Sequence, residues 1–338
     1  MLLIKSGRNH ISTLLFLYMV LFISSCTNEE KRPDVSGIPL SLKADRFEED
    51  LMNSGASPAA SLRKKYPRFF DLYFFQVVRI GSPDSSLMES RIREFVSDPD
   101  IQTIYKEVKS KYAELSAIDT KLSEAFRYYH YYFPKKTIPQ TLTFISAFNN
   151  VIICSDSLLG IGLDMYLGKE STYYRSMFPA YRIEKMEAAY IPSDAMKGWL
   201  QSEWVEPETN ADLLSHMIYN GKILFALKKL MPGEEDTLLT GYSRSQLEWC
   251  VKNEKNIWSF FIDKKLLFAS ELNLIMKYVN EGPTTGGFPR ESPGNLGKWI
   301  GYKIVKSYME KQKTDNLAAL MNEHDYKKIL HDSGYKPE

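Results

Sequence analysis

Thr141-Leu142-Thr143-Phe144-Ile145-Ser146-Ala147-Phe148, then Asn149-Asn150, then Val151-Ile152-Ile153-Cys154 is the stretch that decides the fold. β-Branched and aromatic residues crowd both flanks, and Asn-Asn is a turn signal, so it reads as two short strands. A Gly-punctuated run from Leu158 to Leu167 offers a third strand. Nothing else in the chain has this texture. Upstream, from Leu42 onward, apolar residues recur at helical spacing. Segments 86–96, 100–113 and 117–133 are amphipathic; Ser97-Asp98-Pro99 ends the first and starts the second, and Pro134 stops the third. Downstream, helices are predicted at 193–204, 209–231, 243–262, 269–280, 294–311 and 324–332. The expected fold is mainly α with a small antiparallel β-sheet near the middle, in the α+β class.

The N-terminus carries a different kind of signal. Lys5 and Arg8 precede an almost wholly apolar run from Ile11 to Ile23, which is too short for a spanning helix of about 20 residues. It has the length and flanks of a secretory signal core. Ile23-Ser24-Ser25-Cys26 ends it: an apolar residue, two small residues and a cysteine, the pattern of a bacterial lipobox. The Cys26 thiolate is the group that takes a diacylglycerol, and cleavage before it frees an amine for a further acyl chain. Two or more chains give durable membrane anchoring where one gives marginal binding. The expected organisation is a signal peptide at 1–25, a charged and Pro/Gly-marked tether at 26–39, and a single globular domain at 40–338.

Composition narrows the function classes. With 43 Lys and Arg against 42 Asp and Glu, no global field favours nucleic acid. Aromatic residues cluster at Phe69, Phe70, Tyr73, Phe74 and Phe75 and again at Tyr128, Tyr129, Tyr131, Tyr132 and Phe133, a pattern of core or subunit contact more than of a ligand cage. Cys154 and Cys250 remain after lipidation; an oxidising compartment would let them pair, and burial as free thiols is the favoured alternative.

A small sheet, then a helix, then a helical half is also the order found in zinc metallopeptidases of the HExxH type. Shape carries no function by itself, so the site decides. The equivalent helix would be 209–231, where the sequence reads His216-Met217-Ile218-Tyr219-Asn220. A zinc helix needs His at both ends of that stretch, because residues four apart share a face, and Glu after the first His to take a proton from the bound water. One possible ligand is present; the base and the second ligand are replaced by Met217 and Asn220. No metal, cofactor or catalytic residue is therefore expected. Nor is there a Gly-x-Ser-x-Gly elbow, a phosphate loop or a dinucleotide fingerprint.

Two stretches stand out beyond core patterning. Ile191-Pro192-Ser193-Asp194-Ala195-Met196-Lys197-Gly198-Trp199-Leu200 enters a helix and leads through Glu203-Trp204 to Glu206. Gly282-Pro283-Thr284-Thr285-Gly286-Gly287 precedes Ser292-Pro293-Gly294-Asn295-Leu296-Gly297-Lys298-Trp299-Ile300-Gly301. Gly297 and Gly301 lie one helical turn apart, which suits either helix packing or close approach of a bound segment. Trp199, read as exposed, with Glu203, Trp204, His216, Lys222 and Trp299 are the candidates for a partner-binding groove. The competing reading of each is packing.

The lipobox, the Ile191–Leu200 stretch, Met217-Ile-Tyr-Asn-Gly-Lys-Ile-Leu224 with Met231-Pro232, and the Pro293–Met309 segment together resemble the gliding-motility lipoprotein GldB family of Bacteroidetes. The likeness runs from about residue 40 to the C-terminus and is strongest at 191–231 and 280–309. That family resembles predicted zinc-dependent proteases with a degraded signature. The resemblance implies a lipid-anchored envelope protein needed for gliding on surfaces, associated with the machinery that moves and secretes adhesins. It implies a membrane anchor and other envelope proteins as partners, no nucleic acid, and an outer-membrane, periplasm-facing placement. It carries over no catalytic residue. The alternative function is an envelope hydrolase of atypical, degenerate metallopeptidase-like type.

Overall fold

In the computed structural model, which describes residues 32–338, helices build most of the molecule and a four-stranded sheet sits between two cores. The signal, the lipobox and Cys26 lie outside the described residues. Residues 35–338 form one unit. Strand β1 (Asp45–Arg46) leads into α1 (Phe47–Met52), α2 (Pro58–Lys65) and α3 (Pro67–Asp71), which continues as a π-helical turn over Leu72–Val77. Then come α4 (Met88–Ser97), α5 (Pro99–Lys111) and α6 (Ser116–Tyr132). The break between α4 and α5 falls where the sequence places it: the Asp98 carboxylate accepts from the Asp100 and Ile101 amides, and Pro99 takes the first helical position.

The sheet follows as β2 (Gln140–Phe144), β3 (Ile152–Ser155) and β4 (Leu158–Gly162). It is mixed, in the order β1-β2-β4-β3, where an antiparallel sheet was expected. β3 and β4 form an antiparallel hairpin, but β4 then runs parallel beside β2, and β1 parallel beside β2. Asn149-Asn150 does turn the chain, as its chemistry predicts, yet it does not close a hairpin. The Ser146 Oγ accepts from both asparagine amides, and Ala147 and Phe148 take positive φ. The Asp164 carboxylate, wholly buried beyond β4, accepts the Ser146 and Phe148 amides at 3.0 and 2.8 Å. This crossing holds β3 away from β2 and leaves the gap that β4 fills.

One sheet face carries Leu142, Phe144 and Leu158 into an aromatic core with Phe47, Phe69, Phe70, Tyr73 and Phe74. Of the first aromatic cluster only Phe75 is exposed. The other face turns Leu159 and Ile161 into the larger core with α6 and the C-terminal helices.

After single turns at Tyr174–Met177 and Ala180–Ile183 come α7 (Ile191–Glu203), α8 (Leu213–Leu230) and α9 (Asp236–Thr240). The chain ends with α10 (Arg244–Lys252), α11 (Glu254–Asp263), α12 (Leu272–Val279), α13 (Leu296–Gln312), α14 (Leu317–Asn322) and α15 (Tyr326–Ser333). The helix predicted over 243–262 is two helices parted at Asn253. Cys154 is half-buried and Cys250 buried, and they are unpaired.

α8 and α13 form the seam on which everything after the sheet is arranged. Asp212 caps α8 through the Ser215 amide and hydroxyl at 2.9 and 2.5 Å. Gly221 of α8 faces Gly301 of α13, and a Cβ on either would run into the other helix's backbone. A Cβ at Gly297 would lie 2.8 Å from the Tyr278 carbonyl oxygen and 3.1 Å from Met217 Cγ. Glycine here is a packing requirement: it lets two helices touch backbone to backbone.

Candidate functional site

The seam determines what His216, Met217 and Asn220 can do. Met217 is wholly buried against α13, its carbonyl beneath Gly301. Asn220, 7% exposed, spends its amide on the His216 carbonyl at 2.8 Å, within its own helix. His216 is 5% exposed; its Nδ1 lies 3.3 Å from Glu206 Oε1, and its Nε2 is buried without a partner. Among the described residues no group of three or more His, Cys, Asp or Glu is arranged to hold a metal ion.

The candidate groove residues separate into two sets. Trp199 is wholly buried, edge-on to Phe126 in the core, which overturns its reading as an exposed anchor. The cause is Gly198: the helix lies so close to Ile152 of β3 that the neighbouring indole is carried under the sheet. Trp204 is nearly buried too, stacked near Phe133 and under the Lys136 ammonium, with its indole N–H on Asn322 at 3.3 Å. Glu203 is the 2.5 Å ion partner of that same Lys136. Lys222 is 2% exposed and donates to the Met321 and Glu323 carbonyls at 2.9 and 2.8 Å. Burial pushes its ammonium down to about 8, against the pull of Glu323. These four residues are spent on contacts within the fold, and none of them lines the cleft formed by the second set.

The second set meets at a cleft. Lys197 of α7, Asn220 of α8, and Lys298 and Trp299 of α13 line an inner cavity of about 30 Å³, room for a water or two. It adjoins an outer cavity of about 280 Å³ through Tyr242 and Asn295, which line both. Lys185, Gln246, Gly282 and Gly294 line the outer part. The wall is built by hydrogen bonds that the loop sequence supplies. Thr285 donates to the Pro293 carbonyl and accepts from the Leu296 amide, at 2.8 and 3.1 Å. Tyr242 donates to Asn295 Oδ1 at 2.6 Å, and Asn295 itself takes a left-handed φ of 54° to open α13.

Three carboxylates and three lysines stand around this cleft, and only one pair of them is in contact. Glu281 lies 3.5 Å from Lys185. Burial works against its charge, yet Lys185, Lys197 and Lys298 together hold its carboxyl below the usual range. Asp194, raised by burial, accepts the Tyr166 hydroxyl at 2.9 Å. Glu206 is engaged with His216. Burial and the like charge of Lys197 push the Lys298 ammonium down to about 7, outweighing Glu281 and Glu206.

The profile of the family described as Gliding motility protein GldB matches residues 28–337. The chain belongs to the GldB family. No curated protein and no solved structure matches it. Family membership makes the chain a participant in gliding motility and one of a lipoprotein family of the cell envelope. Among its described residues no helix is long and apolar enough to cross a membrane.

In this GldB-family chain the candidate residues of the sequence fall at α7, α8 and α13, and most of them are buried in packing contacts. Of the six candidates, the structure brings Trp299 to the cleft, while His216 lies on Glu206. It adds Lys185, Lys197, Tyr242, Glu281 and Lys298. One signal for Lys298 was present: in Gly297-Lys298-Trp299-Ile300-Gly301 a lysine stands within a turn whose glycines mark it for the interior.

Proposed function

We propose that this chain is a non-catalytic, lipid-anchored component of the gliding machinery that holds a segment of another envelope protein. Cys26 is acylated and becomes the mature N-terminus, residues 26–39 stand the body off the membrane, and the body presents the cleft between α7, α8 and α13. Outer-membrane anchoring with the body facing the periplasm is the placement this reading favours.

The observation that supports it is the fate of the peptidase-like helix. Where a zinc hydrolase needs a base and a second imidazole, Met217 serves the α8–α13 seam and Asn220 bonds back to its own helix. Neither side chain has a proton to take up near neutral pH or a strong ligand atom to offer. Binding work, which needs only a shaped and charged surface, suits the same geometry.

The anchor is tested by Cys26→Ala. The variant is expected to lose metabolic lipid labelling and the mass decrease of signal removal, and to leave the membrane fraction, with surface gliding lost. A variant that stays membrane-bound and normally processed would remove the anchor from this account.

A further inference from the structure

We propose that the cleft between α7, α8, α13 and the 281–295 loop is an anion site that takes a carboxylate from an acidic segment of a partner, held by the Lys197 and Lys298 ammoniums. This deepens the partner-holding reading and rests on it.

Three observations carry the proposal. The first is that two of the three lysines have no carboxylate in contact. Glu281 answers to three lysines and is in contact with only one of them, Lys185. Asp194 accepts from Tyr166 and Glu206 lies on His216, and both act on the cleft lysines only through space. Among the described residues, Lys197 and Lys298 have no hydrogen-bonding group or carboxylate in contact. A cation set in a cleft is expensive to leave unpaired, and a second cation beside it raises that cost. An anion between them relieves both.

The second is room. The inner cavity has room for one or two water-sized groups, the size of carboxylate oxygens, and the outer one continues from it past Tyr242 and Asn295 with space for the chain that carries them. A phosphate dianion suits the place less well, because Glu281 and Glu206 already stand near and would repel the second charge. The third is a spare donor. Trp299 lines the inner cavity, and its indole N–H is buried without an acceptor. Buried donors ordinarily have partners, so an orphan on a residue that shares the lining of both lysines supports an acceptor there.

Binding then has a defined pH dependence. The charged groups acting on Lys298 are Lys197, Glu281, Glu206 and Lys185; Asp194 acts on Lys197 and Lys185, and Tyr242 shares the cavity lining. Only Lys298 stands at about 7. An anion favours the charged amine, so a proton is taken up on binding, and affinity falls as pH rises and the amine discharges. From pH 6 to pH 8 the charged fraction of a group at about 7 drops about tenfold, and affinity drops with it.

The test uses the full chain in detergent micelles and isothermal titration calorimetry with triglutamate, acetate and inorganic phosphate as probes. Triglutamate is expected to bind, to be displaced by acetate, and to bind about tenfold more weakly at pH 8 than at pH 6. Lys298→Met and Lys197→Met should each weaken it about tenfold or more, and exposed Lys336→Met should leave it unchanged. Melting curves accompany every variant; should Lys298→Met fail to fold, Lys197→Met decides. No binding of any probe, binding indifferent to both lysines, or binding independent of pH would overturn the proposal. Phosphate binding without triglutamate binding would overturn it as well, by assigning the cleft to a free oxyanion. Triglutamate binding by a chain found to hydrolyse peptides would uphold the anion site while removing the non-catalytic reading.

Discussion

Lys222 and Lys298 sit in the two helices of one seam, and their difference separates the part of this protein that is finished from the part that is waiting. Both ammoniums are pushed down by burial, to about 8 and about 7. Lys222 is answered: two backbone carbonyls accept from it, and the Tyr326 ring lies 5.6 Å away. It ties α8 to the end of α14, where a helix leaves carbonyls in need of donors. Lys298 is answered by nothing in contact. A buried lysine is thus no sign of function until its partners are counted. The same change of charge should give opposite results at the two places.

The largest effect is expected where both lysines lose their frame. Gly301→Val forces a branched side chain into the Met217 carbonyl, and the seam must open by the width of a methyl group. The cost should be about 3 kcal/mol or more. Chemical denaturation checks it. A variant as stable as the parent would mean that α8 and α13 do not touch at this point, and the comparison of their lysines would lose its basis.

Next in size is Lys222→Met. The thioether replaces the buried stem, but the Met321 and Glu323 carbonyls lose their donor. Leaving two acceptors unmatched should cost about 2–3 kcal/mol. Anion binding at the cleft should be untouched. A loss of triglutamate affinity without loss of stability would reverse the roles assigned to the two lysines.

The fold class was legible because it rests on periodicity: helical spacing on both sides of one β-rich stretch, with Asp98-Pro99 and Pro134 as breaks. Sheet order was not. It depends on Asp164 reaching back to the Ser146 and Phe148 amides, a contact across 16 to 18 residues that no local pattern announces. The glycines at 297 and 301 were legible as a close approach, and the structure supplies the reciprocal Gly221. The cleft was less visible. Tryptophans attract attention as anchors, but Trp199 and Trp204 are large apolar residues that found core positions. Lys185, Lys197 and Glu281 are unremarkable in sequence, since charged residues are ordinarily solvated, and only Lys298 carries a signal, its place between Gly297 and Gly301. What sets them apart is mutual placement, brought about by a loop, two helices and the seam between them.

The smallest effect, and the one of opposite sign, is expected from Lys298→Met. Removing a cation that lacks a partner should leave the melting temperature unchanged or raise it at neutral pH. Its pH dependence is more telling. In the unfolded chain a lysine titrates near 10.4, about three units above the folded value. Between those limits the unfolded state holds more protons, so the contribution of Lys298 to stability rises with pH. Below about 7 both states are charged and the cost of the cation is fully present. The advantage of Lys298→Met over the parent should therefore be greatest at pH 6 and fade toward pH 10. Lys222 titrates in both proteins and cancels in that difference. Added triglutamate should erase the advantage at pH 6, because it supplies the parent with the counter-charge it lacks. A variant less stable than the parent at pH 6 would show that Lys298 is already answered within the fold, and that the two lysines are alike.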